Sequence, residues 1–175
     1  MKVPLNGTLW EILYNSNLQW SHNDFSSPDG LYFSEASKGL MWLQTDDGAY
    51  TDVTNCMMLA ALPGSYNDGK TRNIVNNSVP SNGNANQTVT TYVGADASDK
   101  NLKRFLVGPK GCEITGIAET PDGKAIFVNI QHPGESTKNS SNPANYQSHW
   151  LDGGTSRPRS ATVVITKSNG GIVGS

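Results

Sequence analysis

Hydrophobic and polar residues alternate along this chain in short runs that are separated by turn-forming residues. This period of two is typical of β-strands, whereas the spacing of amphipathic helices is almost absent. The sequence TPDGK has proline and glycine where a tight turn needs them, and it joins two of the runs into a hairpin. We therefore predict an all-β fold of antiparallel sheets, with strands at residues 8–14, 30–33, 40–45, 56–62, 102–107, 113–119, 125–131 and 161–167.

Two long segments lack the alternation. Residues 63–100 are rich in asparagine and are predicted to form a polar surface insertion. Residues 133–160 are rich in Pro, Gly, Ser and Asn and are predicted to form a long loop. Residues 1–175, with these two interruptions, are interpreted as one segment of a β-propeller, because the chain contains an internal repeat of two similar hairpins.

The repeat consists of two predicted hairpins with the same order of strand, turn and strand. PDGLYFSEASKGLMWLQT aligns with CEITGIAETPDGKAIFVNIQ when Phe33 is matched with Ile117, and Asp29 then matches Glu113. Blade-sized repeats indicate propellers, whose equivalent positions face one central axis. The repeat predicts about two blades, not a closed ring, with both carboxylates directed toward one place. A β-sandwich whose hairpins merely resemble each other is the alternative.

Composition narrows the classes of function. The chain has 175 residues, enough for one domain with a core, and its 18 Gly and 9 Pro agree with many turns. A net charge of -2 gives no electrostatic footprint for nucleic acid or for an anionic membrane. No apolar run is long enough to span a bilayer, and the first residues lack the features of a signal peptide. We expect a mature chain, a cytoplasmic chain or a piece of a longer protein.

Glu113 is the residue whose position most needs an explanation. It is a carboxylate at the start of an otherwise apolar strand, between Cys112 and Ile114, and burying it costs free energy unless a cation is near. Calcium takes six to eight oxygen ligands, which carboxylates from separate blades can supply. We predict that Asp29 and Glu113 are metal ligands. For Asp29, which lies in the turn-like sequence SPDG, capping of that turn is the alternative.

The remaining polar residues give weaker indications of a catalytic or binding site. Sequence motifs of the common nucleophilic, nucleotide-binding and zinc-dependent enzymes are missing. The three histidines have no ligand spacing and are interpreted as loop residues: His22, His132 and His149. Arg157 and Arg159 have the chemistry to bind a phosphate, although hydrogen bonds to carbonyl groups or nearby acids are the favoured interpretation.

The two cysteines do not suffice for a disulfide scaffold. Cys56 and Cys112 form either one bridge or two separate buried thiols, and the second interpretation is favoured because isolated cysteines are often buried.

Five stretches carry a resemblance to a known family: SSPDGLYF, LMWLQTD, NCMMLAA, RFLVGPKGCEITGIAETPDGKAIFVNIQHPGE and SHWLDGGTSRPRSATVVITK. Together they resemble the C-terminal region of PhoX-type alkaline phosphatases. The resemblance runs from about residue 25 to residue 175 and is interrupted by the asparagine-rich insertion.

This resemblance implies a β-propeller enzyme, exported to the periplasm or out of the cell, that hydrolyses phosphate monoesters with calcium and iron as cofactors. Asp29 of SPDG and Glu113 of GCEITG match acidic metal ligands of the family, which implies that they bind calcium. The iron-bound cysteine of such enzymes lies in a more N-terminal portion, so neither Cys56 nor Cys112 matches it.

Enzymes of this family are much longer than the present chain. Two blades do not close a ring, and an open fragment exposes sheet edges. We therefore expect the chain to pair with the remaining N-terminal part of the propeller, or with itself, and we expect little activity from the isolated chain. Two alternatives remain: a calcium-dependent lactonase related to gluconolactonase-like propellers, and a non-catalytic β module that binds partners.

Overall fold

The computed structural model describes residue 25 and residues 27–46, 54–64, 70–76, 87–92 and 98–175. These residues form antiparallel sheets with one turn of 3-10 helix, Pro143–Asn145, which confirms the all-β prediction. The strands are β1 (Pro28–Phe33), β2 (Met41–Thr45), β3 (Met57–Ala61), β4 (Thr71–Asn76), β5 (Gln87–Tyr92), β6 (Leu102–Val107), β7 (Glu113–Glu119), β8 (Ala125–Gln131) and β9 (Ala161–Thr166).

Most strands lie where the alternation predicts them. The strand predicted at 8–14 falls outside the described residues, and β4 and β5 lie in the segment that the sequence analysis interprets as an insertion without strands. These two strands pair with each other, from Thr71 opposite Tyr92 to Asn76 opposite Gln87, and the hairpin belongs to a separate compact unit, Pro63–Ala97.

The other described strands belong to one unit and form two antiparallel meanders. The first sheet has the order β1-β2-β3-β6 and the second the order β7-β8-β9. β1 and β7 are each the first strand of their sheet, and each contains an irregularity in its pairing, between Pro28 and Gly30 and between Thr115 and Ile117. The two hairpins that align in sequence are thus the opening hairpins of two neighbouring meanders.

The core between the two sheets follows from the alternation. On β8, Ile126, Val128 and Ile130 are buried, while Phe127 and Asn129 between them are exposed. The same cluster contains residues from both sheets and from the C-terminal segment: Leu40, Trp42, Cys56, Met58, Ala60, Phe105, Cys112, Ile114, Ile126, Val128, Ile130, Ile165 and Val173.

The first sheet is also buried on its other face. Leu43, Met57 and Leu59 belong to a second apolar cluster, so that neighbouring residues of β2 and β3 are buried on opposite sides. A strand that is buried on both faces has a nearly continuous apolar sequence. This explains why LMWLQT and CMMLAAL show little alternation.

Polar side chains hold the two sheets in register. The carboxylate of Glu119 accepts hydrogen bonds from Ser34 Oγ at 2.8 Å and from the backbone N–H of Glu35 at 2.9 Å, in the turn between β1 and β2. The amide Nε2 of Gln44, a buried residue, donates to the carbonyl oxygen of Gly116 at 3.0 Å, where the pairing of β7 is irregular. The bonds made by the buried residues Ser34 and Gln44 satisfy polar atoms that the packing of the sheets removes from water.

Candidate functional site

Glu113 lies at the first position of β7, opposite Gln131 at the last position of β8. Its side chain is 17% exposed, and its two carboxylate oxygens have different partners. Gln131 Nε2 donates to Oε2 at 3.1 Å, and His132 Nε2 lies 3.0 Å from Oε1. The structure thus places an imidazole, a cation when protonated, beside the carboxylate that the sequence analysis predicts to need one.

His132 is the residue of this cluster that the sequence analysis misses. Its backbone has a φ of +30°, in the left-handed region, and its N–H donates to Ser160 Oγ at 2.8 Å. Its second ring nitrogen, Nδ1, lies 3.5 Å from Glu135 Oε2, a distance too long for a good hydrogen bond. The imidazole therefore lies between two carboxylates and makes its close contact with Glu113.

A signal for this contact exists in the sequence. The TPDGK turn sets the pairing near the start of the β7–β8 hairpin, and the irregularity between Thr115 and Ile117 shifts the register by one residue, so that Glu113 pairs with Gln131. His132 follows Gln131 directly and so lies next to the carboxylate. A regular spacing of metal ligands describes residues on one helix or strand, whereas this cluster joins the start of β7 to the end of β8.

Asp29 lies on β1 and is exposed. Its carboxylate forms no hydrogen bond or ion pair with the described residues, which gives no support to a turn-capping role among them. β1, which carries Asp29, packs against β7, which begins with Glu113. Within the described ranges, no group of three or more His, Cys, Asp and Glu could hold a metal ion.

The two arginines of the loop between β8 and β9 differ in their surroundings. Arg159 binds Asp152 with two hydrogen bonds, from Nε to Oδ2 at 3.1 Å and from Nη2 to Oδ1 at 2.9 Å. These hydrogen bonds and the charge of Asp152 raise the pKa of Arg159 above its ordinary value. Arg159 thus has the acidic partner that the sequence analysis favoured. Arg157 is exposed and forms no ion pair with any residue that the structure describes.

A cleft of 380 Å³ is lined in part by His132, the residue that contacts Glu113. Its walls come from the loop between β8 and β9, mainly from the residues that directly follow β8 and those that directly precede β9. The lining includes His132, Glu135, Thr137, Ser140, Tyr146, Arg157, Arg159 and Ser160.

The other candidate residues have structural roles or lie outside the described ranges. His149 Nδ1 lies 3.0 Å from the carbonyl oxygen of Ser156, and its ring is 5.8 Å from that of Tyr146, so it helps to fix the loop. Asp122 accepts hydrogen bonds from Thr120 Oγ1 and Lys124 N inside the turn of the hairpin. His22 lies outside the described residues. No helix in the described part of the chain has the length and apolarity to cross a membrane.

Both cysteines are buried in the core between the sheets and are not joined by a disulfide. Burial raises the pKa of the Cys112 thiol to about 12, and the charges of Cys56 and Glu113 act in the same direction. A thiolate is the form that binds metals and attacks electrophiles. Cys112 is therefore a poor candidate for either role.

We expect Cys112 in the folded protein to resist alkylation by iodoacetamide at pH 8. With a pKa of about 12, roughly one thiol in ten thousand is ionised at that pH, and burial blocks access as well. Mass spectrometry of the alkylated peptide measures the labelling. The same protein in urea is the control and should be labelled fully, whereas equally fast labelling of the folded protein would contradict the assignment.

Comparison with known proteins gives two matches. The family model of alkaline phosphatase PhoX matches residues 9–134. Among solved structures, the chain is similar to Pseudomonas fluorescens PhoX in complex with vanadate, a transition state analogue, with 32% sequence identity and a TM-score of 0.54. That match covers 87% of this chain and 20% of the Pseudomonas protein, which has a propeller-type fold. A search of curated proteins gave no match.

Proposed function

The chain belongs to the PhoX family of alkaline phosphatases, and on that basis we propose that it is part of an enzyme that hydrolyses phosphate monoesters. The observation that carries the proposal is the family match over residues 9–134, which includes Asp29, Glu113 and the hairpin that holds Glu113. The similar Pseudomonas protein binds vanadate, an analogue of the transition state, which supports a phosphate ester as the substrate class.

We propose that Asp29 and Glu113 supply carboxylate ligands to the metal centre. The PhoX family depends on metal ions. Calcium needs six to eight oxygens, and two carboxylates provide at most four, so the remaining ligands must come from elsewhere in the assembled enzyme. The exposed carboxylate of Asp29 and the half-buried, hydrogen-bonded carboxylate of Glu113 fit calcium by the chemistry of their oxygens. The iron of the family fits the described residues less well, because Cys112 stays protonated and both cysteines are buried in the core.

In this proposal the residues around Glu113 orient it. Bound metal cations contact phosphate oxygens and neutralise the charge that develops on the transferred group. Gln131 and His132 hold the two carboxylate oxygens of Glu113 in place, as residues around metal ligands commonly do. A fixed carboxylate loses less conformational freedom when it binds an ion, and this is the contribution that the hairpin makes.

We propose that the chain acts together with the rest of a longer protein. It spans about a fifth of the Pseudomonas enzyme, since the match covers 20% of that chain. Large apolar side chains are exposed on the described strands of both sheets, among them Leu31 and Phe33 on β1 and Phe127 and Val164 on the second sheet. Such surfaces are suited to pack against further blades. Self-association through the open sheet edges is the alternative. PhoX enzymes are generally periplasmic or secreted, and we propose the same location for this protein.

Removing metal ions from the full-length protein is the experiment that tests the function. We expect treatment with EDTA to lower the rate of hydrolysis of phenyl phosphate about 100-fold or more, because metal ions no longer stabilise the negative charge on the phosphate oxygens. Calcium should restore at least part of the activity, and elemental analysis should follow the metal content. Assays with sugar lactones in parallel test the lactonase alternative. A metal-free preparation that keeps its full activity would exclude the proposed mechanism.

A further inference from the structure

The loop between β8 and β9 is fixed by hydrogen bonds within itself and to the segment before β7, although its regular structure is limited to the single turn Pro143–Asn145. Gly134 N donates to the carbonyl oxygen of Lys110 at 2.8 Å, and Arg159 N donates to that of Trp150 at 3.1 Å. Gly134 has a φ of +74°, and a Cβ there would lie 3.2 Å from Ser148 N, so the two arms of the loop approach closely. Long loops with little secondary structure in a compact unit are usually functional.

This loop encloses the cleft of 380 Å³, a volume within the range of small-molecule sites. Four hydroxyl-bearing residues, Thr137, Ser140, Tyr146 and Ser160, are among those that line it. His132 lies at its edge and also contacts the carboxylate of Glu113. The cleft is therefore adjacent to the residue that we propose as a metal ligand.

The charges in the cleft favour an anion near Arg157. Glu135, the acid of the lining, lies close to His132, and Arg159 is occupied by two hydrogen bonds to Asp152. Arg157 lines the cleft, is exposed, and has no acidic partner among the described residues. A guanidinium without a partner binds a carboxylate or a phosphate through two parallel hydrogen bonds.

We propose that this cleft receives the alcohol portion of the phosphate ester and that Arg157 binds an anionic group, a carboxylate or a second phosphate, on that portion. The inference rests on the proposed phosphatase function. His132 contacts Glu113 and also lines the cleft, so a phosphoryl group bound near Glu113 would lie close to the cleft, which could then receive the rest of the ester. Arg157 is then a residue that determines specificity, and the enzyme prefers phosphate esters of acidic alcohols.

Two esters that differ by one carboxylate test the proposal in the full-length protein. The ratio of kcat/KM for 3-carboxyphenyl phosphate to that for phenyl phosphate is measured in the wild type and in Arg157→Gln. We expect the ratio to fall about 10-fold to 100-fold in the variant, because a charge-assisted hydrogen-bonded pair is lost. Arg157→Lys, which keeps the charge without the planar fork, should lie between the two. Lys138→Gln removes one positive charge from the same loop outside the cleft lining and should leave the ratio unchanged.

Binding of the product alcohol, 3-hydroxybenzoate, gives a readout that does not depend on turnover. Calorimetry should detect its binding to the wild type and a loss of about 10-fold or more in Arg157→Gln. An unchanged ratio of kcat/KM, or equal affinity of 3-hydroxybenzoate for both proteins, overturns the assignment of Arg157. If neither ester is hydrolysed while 3-hydroxybenzoate still binds through Arg157, the proposed phosphatase function fails and the anion site stands.

Discussion

Replacing Glu113 with glutamine in the full-length protein is expected to lower the hydrolysis of phosphate monoesters about 100-fold or more and to reduce the calcium content. The substitution keeps the size of the side chain and its place opposite Gln131 but removes the negative charge. A neutral amide is a weaker ligand for a hard cation than a carboxylate, and metal-ligand losses of this kind reduce both affinity and turnover. Elemental analysis and steady-state kinetics on the same preparations provide the measurement.

Two further variants separate metal binding from local structure. Asp122→Asn changes a carboxylate in the turn at the far end of the same hairpin, where its partners are Thr120 and Lys124, and should leave metal content and turnover near those of the wild type. Asp29→Asn should lower both quantities as Glu113→Gln does, because both carboxylates are proposed as ligands. If Glu113→Gln and Asp29→Asn retain the wild-type calcium content and rate, the two acids are not ligands.

The contact between Glu113 and His132 offers a competing explanation of this carboxylate. A half-buried acid beside an imidazole is also a common way to satisfy polar atoms at the end of a hairpin. In that case Glu113→Gln would cost stability but would leave the amount of bound calcium unchanged. The calcium content of Glu113→Gln therefore shows whether Glu113 is a metal ligand that His132 orients, or whether the two residues form only a structural contact.

The sequence predicts the β7–β8 hairpin because two independent signals agree there. The alternation of AIFVNIQ gives the buried face of β8, and TPDGK gives the turn. Since hairpin pairing is local, these signals place Glu113 near the end of β8, and the irregularity between Thr115 and Ile117 then makes Gln131 its partner. The contact of His132 with Glu113 follows from the register of the hairpin, which a metal-ligand spacing along the chain does not contain.

Other features depend on contacts that no local pattern contains. The hairpin of β4 and β5 was missed because its strands, TRNIVN and QTVTTY, are mainly polar and carry little apolar alternation. The signal for β5 lies in the β-branched and aromatic residues of QTVTTY, which favour strands without any apolar alternation. The bonds from Gln44 to Gly116 and from Arg159 to Asp152 join residues whose proximity depends on sheet packing and loop closure.

Trp42→Ala is expected to destabilise the protein by about 3–5 kcal/mol, the range for removing a large aromatic side chain from a core. Trp42 is fully buried on β2, and its ring centroid lies 4.6 Å from that of Phe105 on β6. The C-terminal segment closes over it so tightly that a Cβ on Gly174 would lie 3.0 Å from Trp42 Cζ2. Because domains are stable by only about 5–15 kcal/mol, this loss is a large share of the total.

The matched variant Trp42→Phe is expected to cost much less, about 1–2 kcal/mol, since it leaves a smaller cavity and keeps an aromatic ring against Phe105. It also removes the indole Nε1, a buried donor that has no hydrogen-bond partner in the described part of the chain. An unsatisfied buried N–H carries a desolvation cost, and its removal offsets part of the lost packing. Urea unfolding of the wild type and both variants measures the order. Equal midpoints for Trp42→Ala and the wild type would show that the packing between the two sheets does not depend on this side chain. A Trp42→Phe variant as unstable as Trp42→Ala would contradict the claim that the indole N–H has no hydrogen-bond partner.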